Sequence, residues 1–412
     1  MALHGTNQEL GRPYNRRIVL EAVRRHAPIS RADIARTVGL TAQTVSTISS
    51  ELESAGLVTM IRDSRVRRGQ PAQMLSLNAT GAYALGVQLT LGLARAALVD
   101  LTGDIVKCEE QELADDSPEV IFAAVARMKR SISAGAARNR LLGLGVAMPG
   151  PFGVEPMSFV GPTTLERLKG LAVRDRIAAG TGLPVFIDID SSTGAMGEHL
   201  RGAGRGLKNF FYLYLGAGLG GSFVRDGAVM GGTHGNAGEV GHLPMVPDGD
   251  PCPCGNRGCL ERYVSLEALR RWLLARGVKD SRADLGKLAR ERHPALMAWV
   301  AEAAPVLRRA IVMIENMFDP EGIIIGGMAP PELTGLVIAA CQPLLPSLGN
   351  YGGRTSERLL VSTVGADAAL QGAGVLALDR LLSPRGEDAA KRDCVIDLIE
   401  TARHGHQRRK AS

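Results

Sequence analysis

GNAGEVGHLPM (residues 235–245) and CPCGNRGCLE (residues 252–261) stand almost back to back, and together they set the class of this chain. Three of its six cysteines, Cys252, Cys254 and Cys259, fall within eight residues, and His242 lies just upstream. A Cys3His set suits a closed, tetrahedral structural Zn2+ site. The Cys-x-Cys pair is close enough to give two ligands to one ion, and Gly255 and Gly258 permit the sharp turn that returns Cys259 to it. Four protein ligands leave no position open for water, so hydrolytic zinc chemistry is disfavoured. The competing assignment, three buried free thiols beside a core histidine, is weakened by the ligand count and the flanking glycines. A metal or redox sensor would need a labile site, which this complete set is not. Cys108, Cys341 and Cys394 are scattered and expected to be unpaired.

Upstream, residues 14–56 have the spacing of three short helices. NRRIVLEAVRRH puts Ile18, Val19, Ala22 and Val23 on one face, and Pro28 breaks it. Ser30 and Asp33 form a capping-box-like start to a second helix, which Gly39 ends. Thr41 can cap a third, AQTVSTISSELESAG, with Val45, Ile48 and Leu52 as its inner stripe. Residues 57–78 then alternate around an Arg-rich tip, the signature of a β-hairpin and here of a wing. A recognition helix inserts its N-terminal residues into the major groove. Gln43, Thr44 and Thr47 are therefore candidates for base contacts, and Arg62, Arg65, Arg67 and Arg68 for phosphates or a minor groove. A three-helix protein-interaction module is the alternative, and the arginine-rich wing favours DNA.

Charge points the same way. Residues 1–80 hold 11 Arg and no Lys against 6 Asp and Glu, while the whole chain is only +6. A basic module joined to a less charged body implies a polyanionic partner for the module. The N-terminus lacks the apolar segment of a signal peptide, and no apolar run approaches the about 20 residues of a membrane span. A cytoplasmic protein with no membrane partner is expected. From residue 83 onward, three meandering strands followed by alternating helices and strands occur twice, which predicts two similar α/β halves around a cleft.

The paired motifs GExGH and CxCGxxGCxE resemble those of the ROK family of bacterial repressors and sugar kinases, within the actin-like ATPase superfamily. AMPGPFG (147–153) is similar to that family's sugar-side loop, LPVFIDID (183–190) to the segment ending in its catalytic aspartate, and IIIGGMAPP (323–331) to its adenosine-side turn. GADAALQGAGVLAL (365–378) is similar to its closing helix, and RRGQPAQMLSLN (67–78) to the wing and exit strand of its regulators. The resemblance implies an N-terminal all-α winged helix-turn-helix plus an α/β two-lobed actin-like ATPase (ribonuclease H-like) domain with structural zinc. The expected divisions are 1–80 for DNA binding, 81–380 for the two-lobed domain and 381–412 for a basic extension. It also implies sugar contacts from Asp190, Glu239, His242 and Glu261, and zinc ligation by His242, Cys252, Cys254 and Cys259.

The departures are equally informative. Family kinases open with an Asp-x-Gly-Gly-Thr phosphate loop, where this chain has Gln88, Thr90 and Leu91 in place of the Asp and the paired glycines. A hard oxygen ligand for Mg2+ is lost, and side chains stand where phosphates need close backbone approach. In GAGLGG (216–221), Ala217 replaces the usual threonine. Phosphoryl transfer needs positioned phosphates and metal, so kinase activity is expected to be absent. Ile189 stands where the family usually has asparagine, which argues against plain glucose as ligand unless Ile189 faces the core. The expectation is a homodimeric or larger transcriptional regulator, a repressor in role, that binds operator DNA and a small carbohydrate effector. The alternative is an active ATP-dependent sugar kinase with an accessory DNA-binding domain.

Overall fold

The computed structural model describes residues 11–62, 73–133, 135–151, 163–278, 284–350 and 357–384. At the N-terminus α1 (Arg12–His26), β1 (Ile29–Ser30), α2 (Arg31–Val38) and α3 (Ala42–Ser54) precede a hairpin of β2 (Val58–Arg62) and β3 (Gln73–Leu77). Local chemistry sets the helix ends. The Ser30 hydroxyl accepts the Asp33 amide, Gly39 closes α2 at φ +68°, and the Thr41 hydroxyl accepts the Thr44 amide. Each such N-cap is worth about 0.5–2 kcal/mol. Ile34, Val38, Val45, Ile48 and Leu52 are all buried, as the 3.6-residue periodicity requires. The hairpin gains a third strand, with Ile29 opposite Leu75, in the order β1-β3-β2.

The remainder builds two sheets of the same connectivity. The first runs β6-β5-β4-β7-β8, from β4 (Tyr83–Thr90), β5 (Leu93–Asp100), β6 (Ile105–Glu112), β7 (Leu141–Met148) and β8 (Val185–Ile189). Helices α4 (Pro118–Ile132), α5 (Val173–Thr181) and α6 (Asp190–Arg201) accompany it. The second runs β11-β10-β9-β12-β13, from β9 (Phe210–Leu215), β10 (Leu219–Arg225), β11 (Ala228–Val229), β12 (Ile323–Gly327) and β13 (Leu359–Val361). Its helices are α7 (Leu266–Ala275), α8 (Leu285–Arg290), α9 (Pro294–Phe318) and α10 (Pro331–Ala340). In each lobe three antiparallel strands lead into parallel partners, so the twofold pattern in the sequence is a real structural repeat.

Helix α11 (Asp367–Leu382) packs against the first lobe. It lies unusually close. A Cβ on Gly145 of β7 would overlap the carbonyl of Ala373, and one on Gly372 would overlap the carbonyl of Thr193 in α6. Glycine is therefore required at both crossings. The same helix shares a core with the winged helix: Leu370, Ala377, Leu378 and Leu381 join Ile18, Val19, Ala22 and Val23 of α1. Arg24 of α1 also bonds Asp379 of α11 at 3.2 Å. Among the described residues no helix is long and apolar enough to cross a membrane.

Candidate effector pocket, metal centre and DNA-facing helix

Between the lobes lies a cavity of about 220 Å3 lined by the ends of several elements. Asp190 opens α6 at the end of β8, Glu239 precedes and His242 ends a short 3-10 turn after β11, and Glu261 lies in the turn that follows Cys259. All four face this cavity. Glycines let the carboxylates crowd its floor: Glu239 Oε1 is 3.6 Å from the Cβ position of Gly150, and Glu261 Oε2 is 3.1 Å from that of Gly218. Burial, then the neighbouring Glu239, pushes the Asp190 carboxyl up to about 7. Burial likewise raises Glu239. These acids can accept or donate hydrogen bonds according to their proton, which suits them to ligand hydroxyls.

Behind them sit His242, Cys252, Cys254 and Cys259, whose ligand atoms all lie within 4.8 Å of one another. Cys254 Sγ and Cys259 Sγ are 3.6 Å apart, and Cys252 Sγ is 3.5 Å from His242 Nδ1. A tetrahedral ion with Zn–S of about 2.3 Å and Zn–N of about 2.0 Å has edges of about 3.5–3.8 Å, so both separations fit. Burial drives the Cys252 thiol up, and Cys259 to about 11, so a cation is needed for these two to ionise together. The set can bind a metal. The ring of His242 faces both ways, with Nδ1 towards Cys252 and Nε2 3.9 Å from Glu239. Glu261 does the same, with Oε1 3.4 Å from Cys252 Sγ. His242 thus belongs to both metal cluster and pocket, and Glu261 of the pocket touches the cluster.

The other end of the cavity departs from a nucleotide site. Gln88 is fully buried; its Nε2 donates to the Tyr214 hydroxyl at 3.0 Å, and its Oε1 accepts from Arg95 Nη1 at 3.3 Å. Arg95 also donates to the Ala366 carbonyl at 2.9 Å and pairs with Asp367 and Glu110. A chain of side-chain bonds thus crosses from the first lobe to β9 of the second and to the start of α11. Ile189 lines the cavity as well, its Cγ2 packed against Gly150 beside Glu239. Tyr214, Thr163, Glu267 and Arg270 also line it, and no local motif had singled them out.

On the winged helix, Gln43 and Thr47 are exposed near the start of α3, and Thr44 is half-buried. The Thr44 hydroxyl lies 2.8 Å from that of Thr41, so it is partly engaged in the cap. Arg62 ends β2 opposite Gln73. Arg65, Arg67 and Arg68 lie outside the described residues.

The ROK family pattern matches residues 85–380. This chain belongs to the ROK family. A winged helix-turn-helix DNA-binding pattern matches residues 13–59. The solved structure of a ROK family transcriptional regulator, a homologue of the E. coli MLC protein, superposes with a TM-score of 0.72 at 26% identity, over 94% of this chain and 98% of that one. The xylose repressor of Bacillus spizizenii is 26% identical over 388 residues, 91% of this chain and 98% of its own length. The glucokinase of Halalkalibacterium halodurans is 29% identical over 318 residues, which is 71% of this chain and 94% of that enzyme. Likeness to the regulators therefore takes in nearly the whole ROK chain, and likeness to the kinase about seven-tenths of it.

Proposed function

We propose that this ROK protein is a sugar-responsive, DNA-binding repressor whose two-lobed domain binds a monosaccharide or related effector without phosphorylating it. The observation that carries this reading is the union of a winged helix with a kinase-like cleft in which Gln88 replaces the metal-holding carboxylate. A carboxamide bonded to Tyr214 and Arg95 offers no anionic oxygen to Mg2+. Asp190, Glu239, His242 and Glu261 hold the effector's hydroxyls. His242, Cys252, Cys254 and Cys259 hold Zn2+, which fixes the loop carrying Glu261 and orients the His242 ring for the ligand. Gln43 and Thr47 read bases, Thr44 assists at the helix start, and Arg62, Arg65, Arg67 and Arg68 meet the backbone. Two copies would read two half-sites. The chain divides near residue 80, with the ROK domain running to about residue 380.

The test is a gel-shift titration of the full-length protein on DNA from its own upstream region, with and without a monosaccharide panel, beside an ADP-release assay on the same sugars. Specific binding altered by one sugar, with no sugar-dependent ADP, is expected. Sugar-dependent ADP release would establish the kinase alternative instead.

A further inference from the structure

The lining of the pocket divides by chemistry. Besides the carboxylates, the lining includes a set of different character: Leu91 and Leu93 around the β4–β5 turn, Leu266 at the start of α7, Met328 after β12, and Arg270 one turn along α7. Leu91 is 39% exposed, a large aliphatic side chain left open on a cleft wall. The α7 side of this set is held by backbone bonds. Leu266 N donates to Gly216 O at 2.9 Å and Glu267 N to Ala217 O at 3.2 Å, seating α7 on the glycine loop. Met328 Sδ lies 3.5 Å from Gln88 Nε2. The Arg270 side chain has no ion pair or hydrogen bond among the described residues.

Size and chemistry narrow the occupant. The cavity, about 220 Å3 of such space where one water needs about 10–15 Å3, is far larger than a single solvent site. A phosphate could meet Arg270, but Glu261 and Glu267 on the same lining repel an anion and the leucines donate it no hydrogen bond. An apolar ring suits it better: the leucines and Met328 bury its faces, and a guanidinium packs well over an aromatic system.

We propose that Leu91, Leu93, Leu266, Met328 and Arg270 form a second subsite for the aglycone of a glycoside, so that the effector is a saccharide bearing an apolar, aryl-like substituent. This rests on the saccharide reading of the carboxylate wall. Calorimetry on the full-length protein would compare xylose, glucose and galactose with their phenyl α- and β-glycosides. At least one phenyl glycoside should bind about tenfold or more tighter than its parent sugar. Leu91→Asp should bring the ratio of glycoside to parent-sugar affinity down towards one; Leu91 sits on a partly exposed turn, so the fold should survive. Arg270→Ala should reduce the advantage. Free sugars binding as tightly as every glycoside would overturn the subsite and leave the sugar reading standing. Binding by neither class would overturn both. An advantage intact in Leu91→Asp would overturn the assignment of the wall.

Discussion

Replacing Gln88 by leucine keeps most of the side chain's bulk and removes its amide. Gln88 is fully buried, and the Tyr214 hydroxyl that it bonds is held neutral, because burial pushes the phenol's ionisation well up. The leucine variant therefore strands a buried hydroxyl, at a cost of about 1–3 kcal/mol. Arg95 loses little, since Ala366, Asp367 and Glu110 still accept from it. Tyr214→Phe strands the other partner: Gln88 Nε2 would keep only the Met328 sulfur at 3.5 Å, for a similar cost of about 1–3 kcal/mol. The double variant removes donor and acceptor together, so its cost should fall short of the sum by about 1 kcal/mol or more. Urea unfolding followed by tryptophan fluorescence is the assay, because both tryptophans, Trp272 and Trp299, lie in helices of the second lobe that Tyr214 joins to Gln88. Strict additivity, or a Gln88→Leu protein as stable as wild type, would refute the bond's role across the cleft.

Three other outcomes are expected. Cys254→Ser should lower both bound zinc, read by metal analysis, and thermal stability, because binding energy at such a site is folding energy; a fully loaded, equally stable variant would remove Cys254 from the ligand set. Gln43→Ala should cost roughly 1–3 kcal/mol of specific DNA affinity and relax base preference, while Arg67→Ala should weaken all sequences and flatten the salt dependence; selectivity intact in Gln43→Ala would misplace the recognition helix. Asp190 titrates near 7 when folded but near 3.8 when unfolded, so the native state alone holds its proton between those values and stability falls as pH rises through that window. Asp190→Asn should therefore gain on wild type by about 3 kcal/mol between pH 5 and pH 8 in urea titrations; parallel curves would contradict the buried, protonated carboxyl.

Much of this was written locally. Helix starts at Ser30 and Thr41 and the stop at Gly39 are set by side chains within three residues of the bonds they make, so a single stretch of sequence suffices to place them. The metal cluster is similar, because Cys252, Cys254 and Cys259 are joined by one tight loop. Strand β1 was not legible: two residues carry no period, and only pairing with Leu75 and Met74 makes them a strand. Nor was Arg270, which reaches the pocket because α7 rests on Gly216 and Ala217, some fifty residues earlier. The substitution at Gln88 was visible, but its new partners were not, since Tyr214 lies 126 residues away. Long-range placement is a property of packing, which spacing alone does not encode.

The continuous core between α1 and α11 has a mechanical meaning for operator choice. A reading head hung on a loose tether can swivel to meet half-sites at several separations. Here the head is bolted: Ile18, Val19, Ala22 and Val23 share one apolar interior with Leu370, Leu378 and Leu381, and Arg24 is pinned to Asp379. In a dimer, the distance and phase between two such heads are dictated by how the large domains pair. Each base pair added between half-sites turns one of them by about a tenth of a helical turn, and a rigid mount has no slack with which to follow. Operators for this protein should then form a narrow class in spacing even where their base sequence varies.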